Sequence, residues 1–166
     1  LGLNGKDARD FVQSVITQNL NRLTPQTPVY SAFLSTKGRF LHDFLVYDMG
    51  DMLVFDVAKD ELMDLAKAMH AYVLRNEVEF HDLTEDYTLY AVLDAKDDID
   101  LPLLPDPRHP KLGHRLLLAA DKALPADAAT APLDTYHSHR IALGVPDGAT
   151  DALKNKTIAN ELCLAD

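Results

Sequence analysis

Eight consecutive residues, Phe40-Leu41-His42-Asp43-Phe44-Leu45-Val46-Tyr47, constrain this chain more than any other stretch. Side chains alternate along a strand, so Phe40, His42, Phe44 and Val46 fall on one face and Leu41, Asp43, Leu45 and Tyr47 on the other. Both faces are apolar, which predicts a central strand covered on each side. His42 and Asp43 then point to opposite, protected sides. A buried carboxylate without a donor is costly, so Asp43 is expected either to accept a hydrogen bond or to open into a pocket. A second acid, Asp56, closes the β-rich run 52–57 just ahead of a predicted helix, where it favours the positive helix N-terminus.

The neighbouring segments fit a mixed α+β domain. Residues 1–4 read as a strand closed by Gly5. Over 6–19, apolar residues recur at Ala8, Phe11, Val12, Val15 and Ile16, the stripe of an amphipathic helix. The run 29–36 enters the central strand through Lys37-Gly38, a tight hairpin signal. A second helix is expected over 59–75, with Asn76 as its C-cap, and further strands over 77–82 and 87–94. Between 97 and 110 lie Pro102, Pro105, Pro107 and Pro110, four of the nine prolines, so regular structure is interrupted there. A buried strand over 113–120 and a short helix over 133–143 follow. Antiparallel hairpins mixed with helices argue against a doubly wound sheet. The organisation expected is a first half over 1–96, a Pro-rich link over 97–111 and a second half over 112–166.

Composition limits the chemistry. With 16 basic and 26 acidic residues the formal charge is −10, a field that repels phosphate backbones and argues against direct nucleic-acid binding. No apolar run approaches the roughly 20 residues of a membrane helix. The single cysteine, Cys163, cannot form a disulfide or a Cys-based metal site within the chain and reads as an ordinary apolar residue. None of the seven histidines stands in a metal-ligand spacing, so no metal site is expected; His137 and His139 point apart on a helix. The seven glycines form no phosphate loop, and no nucleophile elbow is present. Arg108, Lys111, Arg115 and Arg140 cluster late in the chain. They read either as a receptor for a carboxylate-bearing small molecule or as charge balance for Asp97, Asp98, Asp100 and Asp106.

Four motifs in order carry a family resemblance: Gly5-Lys6-Asp7-Ala8-Arg9-Asp10-Phe11-Val12-Gln13 with Thr17; Leu34-Ser35-Thr36-Lys37-Gly38-Arg39 running into Asp43; Asp106-Pro107-Arg108 with Gly113 and Arg115; and Tyr136 with Arg140-Ile141-Ala142-Leu143-Gly144-Val145-Pro146. The set, spread over most of residues 1–148, resembles the YgfZ-type folate-binding proteins, relatives of the aminomethyltransferase (T-protein) of the glycine cleavage system and of sarcosine-oxidase-type folate domains. The resemblance implies a tetrahydrofolate-binding α+β domain of two interlocked halves with antiparallel sheets. Such proteins serve iron–sulfur cluster assembly or repair and support iron–sulfur enzymes, tRNA-modifying ones among them.

The resemblance also bears on single residues. The aminomethyltransferases carry two adjacent aspartates where this chain has His42-Asp43, which leaves Asp43 as the one catalytic candidate. Arg140 aligns with their substrate-contacting arginine. Lys111 falls near their substrate-contacting glutamate, and Asp56 near their folate-contacting asparagine. The implied cofactor-binding set is therefore Asp43, Asp56, Lys111 and Arg140, and the departures point to an assembly factor rather than a turnover enzyme. An aminomethyltransferase-like enzyme and a degenerate domain kept for protein contacts stay open as alternatives. The family's Lys-Gly-Cys-Tyr-x-Gly-Gln-Glu segment and small C-terminal β-barrel do not occur in these 166 residues, so a longer protein is expected. Its compartment would be the cytoplasm of a bacterium or the mitochondrial matrix of a eukaryote.

Overall fold

The computed structural model describes residues 1–95 and 101–162. The acids Asp97, Asp98 and Asp100 and the lone Cys163 lie outside the described residues. The chain divides into two compact units, Leu1–Asp82 with Asp147–Asp166, and Leu83–Pro146.

In the first unit, β1 (Gly2–Asn4), β2 (Val29–Leu34), β3 (Phe40–Asp48), β4 (Leu53–Asp56) and β5 (Glu79–His81) form one antiparallel sheet in the order β2-β3-β4-β1-β5. The helices α1 (Ala8–Val15) and α2 (Leu62–His70) bring Phe11, Val12, Leu62, Leu65 and Met69 into one core with Val29, Phe33, Phe44, Val46, Leu53 and Phe55. Phe44 and Phe55 meet edge-on there, with ring centroids 4.9 Å apart. Every second residue of these strands is thus assigned to the helix side. The intervening Ala32, Leu45, Tyr47 and Val54 are buried as well, so β3 is covered on both faces, as its sequence predicts.

The motif residues near the start fasten this unit together. At Gly5 a Cβ would lie only 2.2 Å from the Glu77 carbonyl oxygen, so only glycine permits the approach of the two chain segments. Asp7 accepts the Glu77 N–H at 2.8 Å. The Gln13 side chain donates to the Gln18 carbonyl and accepts the Leu20 N–H, and Thr17 Oγ1 accepts the Ala32 N–H at 3.0 Å. These contacts explain why α1 ends at Val15, short of the expected 19. Beyond it Ile16 bridges Phe33 and the chain runs extended along the sheet. The second helix is likewise shorter than 59–75. It ends at His70, with Ala71 rather than Asn76 as its C-cap, and tight turns from Met69 to Asn76 follow.

One departure in register matters for the site. Phe33 pairs with His42 but Leu34 pairs with Phe40, so Leu41 is an extra residue, a β-bulge. Leu41 packs against the helix-side core, and Phe40 shares the opposite face with Asp43 instead of following His42. Simple alternation put Phe40 on the wrong side, because alternation cannot anticipate an inserted residue.

The second unit holds a three-stranded antiparallel sheet in the order β6-β8-β7, from β6 (Tyr87–Val92), β7 (Leu104–Pro105) and β8 (His114–Ala119), followed by α3 (Leu133–Ala142). A short helix, α4 (Gly148–Asp151), and a 3₁₀ turn at Ala159–Leu162 belong to the first unit. The division therefore differs from halves meeting at a link over 97–111. β6 pairs with β8 along six positions, from Tyr87↔Ala119 to Val92↔His114, which ties it to the later sheet. The end of the chain returns to β3, where Phe40 donates to the Thr157 carbonyl and Asn155 donates to the Phe40 carbonyl, each at 2.8 Å.

Candidate functional site

Asp43 and Asp56 lie on the same face of the sheet, the one away from α1 and α2. Tyr30, Leu45 and Asp56 stand in register across β2, β3 and β4, and Asp43 is two residues from Leu45 along β3. Each acid is held by a tyrosine reaching diagonally from the neighbouring strand. Tyr30 donates its hydroxyl to Asp43 Oδ2 at 2.7 Å, and Tyr47 donates to Asp56 Oδ2 at 3.2 Å. Asp43 Oδ2 also accepts the backbone N–H of Gly148 at 3.0 Å. The donor expected for Asp43 from its protected position is present twice. The two tyrosines and Gly148 were not singled out from the sequence. Tyr47 was legible there, since alternation along β3 puts it on the face of Asp43, whereas Tyr30 joins that face only through the pairing of β2 with β3; the Gly148 contact, across 105 positions of sequence, carried no local signal.

Asp56 does not serve the helix N-terminus. α2 begins at Leu62, and the acid at its N-cap is Glu61, whose side chain makes no capping bond. Glu61 is instead buried against the other side of β3, where His42 Nδ1 donates to Oε2 at 2.9 Å and Lys154 reaches Oε1 at 2.9 Å. His42 and Asp43 thus occupy opposite sides of the strand, as expected.

In the second unit the late basic residues separate into two groups. Arg108 and Arg115 converge on the buried Asp106: Arg108 Nε and a terminal nitrogen bind Oδ1 and Oδ2 at 2.9 and 2.7 Å, and Arg115 Nε binds Oδ2 at 2.9 Å. Both guanidiniums donate to the Tyr136 hydroxyl at 2.6 Å. Burial pushes the Asp106 carboxyl up, but the hydrogen bond and charge of Arg108, with the charge of Arg115, outweigh it and hold the group below its ordinary value. The same pairing raises Arg108. These motif residues form an internal lock joining β7, β8 and α3, the charge-balance reading with Asp106 as the partner. Gly113 belongs to it sterically: its φ is +80°, and a Cβ would meet the Val92 carbonyl oxygen at 2.2 Å.

Lys111 and Arg140 form the second group. Arg140 is 3% exposed, with its guanidinium on His137 Nδ1 and on the Val145 carbonyl, so it wraps the C-terminal end of α3. Lys111 is exposed, and its carbonyl accepts His139 Nε2–H at 2.7 Å, which ties its turn to α3 one residue from Arg140. His137 and His139 point to different partners. Among the described residues no three His, Cys, Asp or Glu side chains converge as a metal site, and no helix is long and apolar enough to cross a membrane.

Residues 1–94, more than half of the chain, match the family model of the GCVT N-terminal domain. The chain belongs to that family. The resemblance to aminomethyltransferase-like proteins drawn from the four motifs is borne out, and so is the α+β fold class with antiparallel sheets. Curated relatives of this GCVT domain include the mitochondrial iron–sulfur cluster assembly factor IBA57 homolog of Coccidioides immitis, 32% identical, with 89% of this chain covering 42% of the relative. The homolog of the same name in Mycosarcoma maydis is 29% identical over 90% of this chain and 42% of the relative. That of Dictyostelium discoideum is 26% identical, with 89% of this chain and 47% of the relative covered. The GCVT domain chain therefore spans less than half the length of the relatives it matches.

Proposed function

We propose that this chain is the tetrahydrofolate-binding part of an iron–sulfur cluster assembly or repair factor. The observation that carries the reading is the pair of tyrosine-held carboxylates, Asp43 and Asp56, on one protected sheet face of a GCVT domain. A pterin edge presents N–H donors, and a carboxylate flanked by apolar residues is a suitable acceptor for them. Tetrahydrofolate would supply that edge, a one-carbon carrier and an anionic glutamate tail. Asp43 and Asp56 would take the pterin, and the carboxylate tail favours guanidinium and ammonium partners, the chemistry that Lys111 and Arg140 offer. The iron–sulfur role is supported by the names of the relatives, and the partners would be iron–sulfur assembly proteins and their client enzymes, tRNA-modifying ones included. The setting would be the mitochondrial matrix in a eukaryote and the cytoplasm in a bacterium.

An aminomethyltransferase role has less support. His42, at the position of the second aspartate of those enzymes, is bound to Glu61 on the opposite side of the sheet from Asp43.

Calorimetric titration with tetrahydrofolate, with glycine and S-adenosylmethionine as controls, tests the reading. Micromolar binding, on the order of −8 kcal/mol, is expected. Asp43→Asn and Arg140→Ala should each weaken it. Unchanged affinity in both variants, still folded by circular dichroism, would reject this site. No binding by the folded wild-type chain, with binding by a chain extended past Asp166, would place part of the site outside these residues; no binding by either would leave a domain used for protein contacts alone.

A further inference from the structure

The segment 147–158 crosses the start of β3 and grips it from both sides. On one side the Gly148 N–H donates to Asp43 Oδ2 at 3.0 Å. On the other, Lys154 pairs with Glu61 at 2.9 Å, and Glu61 holds His42 at 2.9 Å. Between these contacts the backbone is stitched to the strand edge: Asn155 donates to the Phe40 carbonyl, Phe40 donates to the Thr157 carbonyl, and Arg39 donates to the Lys156 carbonyl at 2.9 Å. β4 pairs only with Leu45 to Asp48, so this earlier stretch of β3 is left for the returning segment.

Gly148 is the tightest point. A Cβ there would sit 2.2 Å from Asp43 Oδ1 and 2.4 Å from Phe40 Cζ. Its φ is not in the left-handed region, so glycine is required here for space rather than for backbone freedom. A residue that must be small because a carboxylate lies against it, and whose N–H binds that carboxylate, fixes the carboxylate's direction.

We infer that segment 147–158 is a strap that orients Asp43, with Gly148 as the positioning residue and the Lys154–Glu61–His42 chain as the anchor that keeps Gly148 seated. The bulge at Leu41 is part of the device, because it turns Phe40 toward the Asp43 side, where its ring closes the seat of Gly148. The strap is independent of what Asp43 binds. Its consequence for ligand affinity rests on the tetrahydrofolate reading above.

The test uses the full chain and two readouts. The first is nuclear magnetic resonance of the Asp43 side-chain carboxyl carbon together with hydrogen exchange of the Gly148 amide. Lys154→Met should speed Gly148 exchange about tenfold or more, the loss expected when a charged pair that holds a segment is removed. It should also move the Asp43 carboxyl resonance while amides in β6 and β8 keep their rates. Gly148→Ala should move the same resonance. The second readout is tetrahydrofolate affinity. Gly148→Ala should weaken it about tenfold in the wild-type background and cause no further loss when combined with Asp43→Asn, because a residue acting through Asp43 has nothing left to act on. An unmoved Asp43 resonance with unchanged Gly148 exchange, or additive losses in the double variant, would overturn the strap. A wild-type chain that binds no tetrahydrofolate would remove the folate reading for these residues taken alone, and the resonance and exchange arm would still decide the strap by itself.

Discussion

Arg108 meets the Asp106 carboxylate with two parallel bonds, Nε to Oδ1 at 2.9 Å and a terminal nitrogen to Oδ2 at 2.7 Å. The Asp106 side chain is 1% exposed and that of Arg108 is 9% exposed, so the pair is shielded from water. Arg115 shares the same carboxylate and lies 5.1 Å from the Tyr136 ring centroid. Planar forks of this kind suit guanidinium and not ammonium.

Removing the carboxylate takes from two guanidiniums the negative charge they share and leaves them the neutral Tyr136 hydroxyl as a common acceptor. Asp106→Ala should destabilise the protein by about 3–5 kcal/mol, the range for a buried ion pair with one partner deleted. Denaturant unfolding monitored by circular dichroism measures this. Arg108→Lys, which keeps the charge but loses the fork, should fall between Asp106→Ala and wild type.

The same lock makes stability pH-dependent. Asp106 is held below its ordinary 3.8, so the folded state binds fewer protons at this group than the unfolded state does. Its contribution is fully present above about pH 4 and disappears as the pH falls through the lower folded value. Acid titration of unfolding free energy should show the wild type losing more stability below pH 4 than Asp106→Asn loses. Equal acid sensitivity would contradict the assigned role.

Two glycines with similar φ should respond differently to alanine. Gly113 and Gly38 have φ of +80° and +69°, yet a Cβ at Gly38 meets nothing within 4 Å, whereas at Gly113 it meets the Val92 carbonyl oxygen at 2.2 Å. Gly38→Ala should cost about 1 kcal/mol, the strain of left-handed backbone alone. Gly113→Ala should cost clearly more and shift the β6–β8 pairing, visible in the amide spectrum of Val92 and His114.

These cases show what the sequence made legible. The helix stripe at Ala8, Phe11 and Val12, the Lys37-Gly38 turn and the two-sided burial of β3 follow from local pattern, and each is found. The placement of Asp43 and Asp56 on one face follows from strand alternation within each strand plus the pairing of Leu45 with Asp56. The basic cluster was ambiguous because charge does not reveal its partner. Asp106, two residues before Arg108, takes both Arg108 and Arg115, and leaves Arg140 to a different set of bonds. The strap could not be read at all. Its pairing with β3 joins residues more than 100 positions apart, and residues 147–158 carry no apolar period to announce it.

Position 42 offers the sharpest test of the division between the two faces of β3. Restoring an acid there, His42→Asp, would put a second carboxylate beside Glu61 in a site where His42 is 4% exposed. Like charges in such a position are unfavourable, and the lost N–H donor leaves Glu61 with Lys154 as its remaining partner in this cluster. The variant should lose about 2–3 kcal/mol of stability, because a buried charged group loses its hydrogen-bond donor. It should gain no aminomethyl transfer, since residue 42 faces away from Asp43. His42→Asn, which keeps a donor without the charge, should be milder. A His42→Asp protein as stable as wild type, forming methylenetetrahydrofolate and ammonia from an aminomethyl-thioether donor, would place residue 42 on the Asp43 side and undo the assignment.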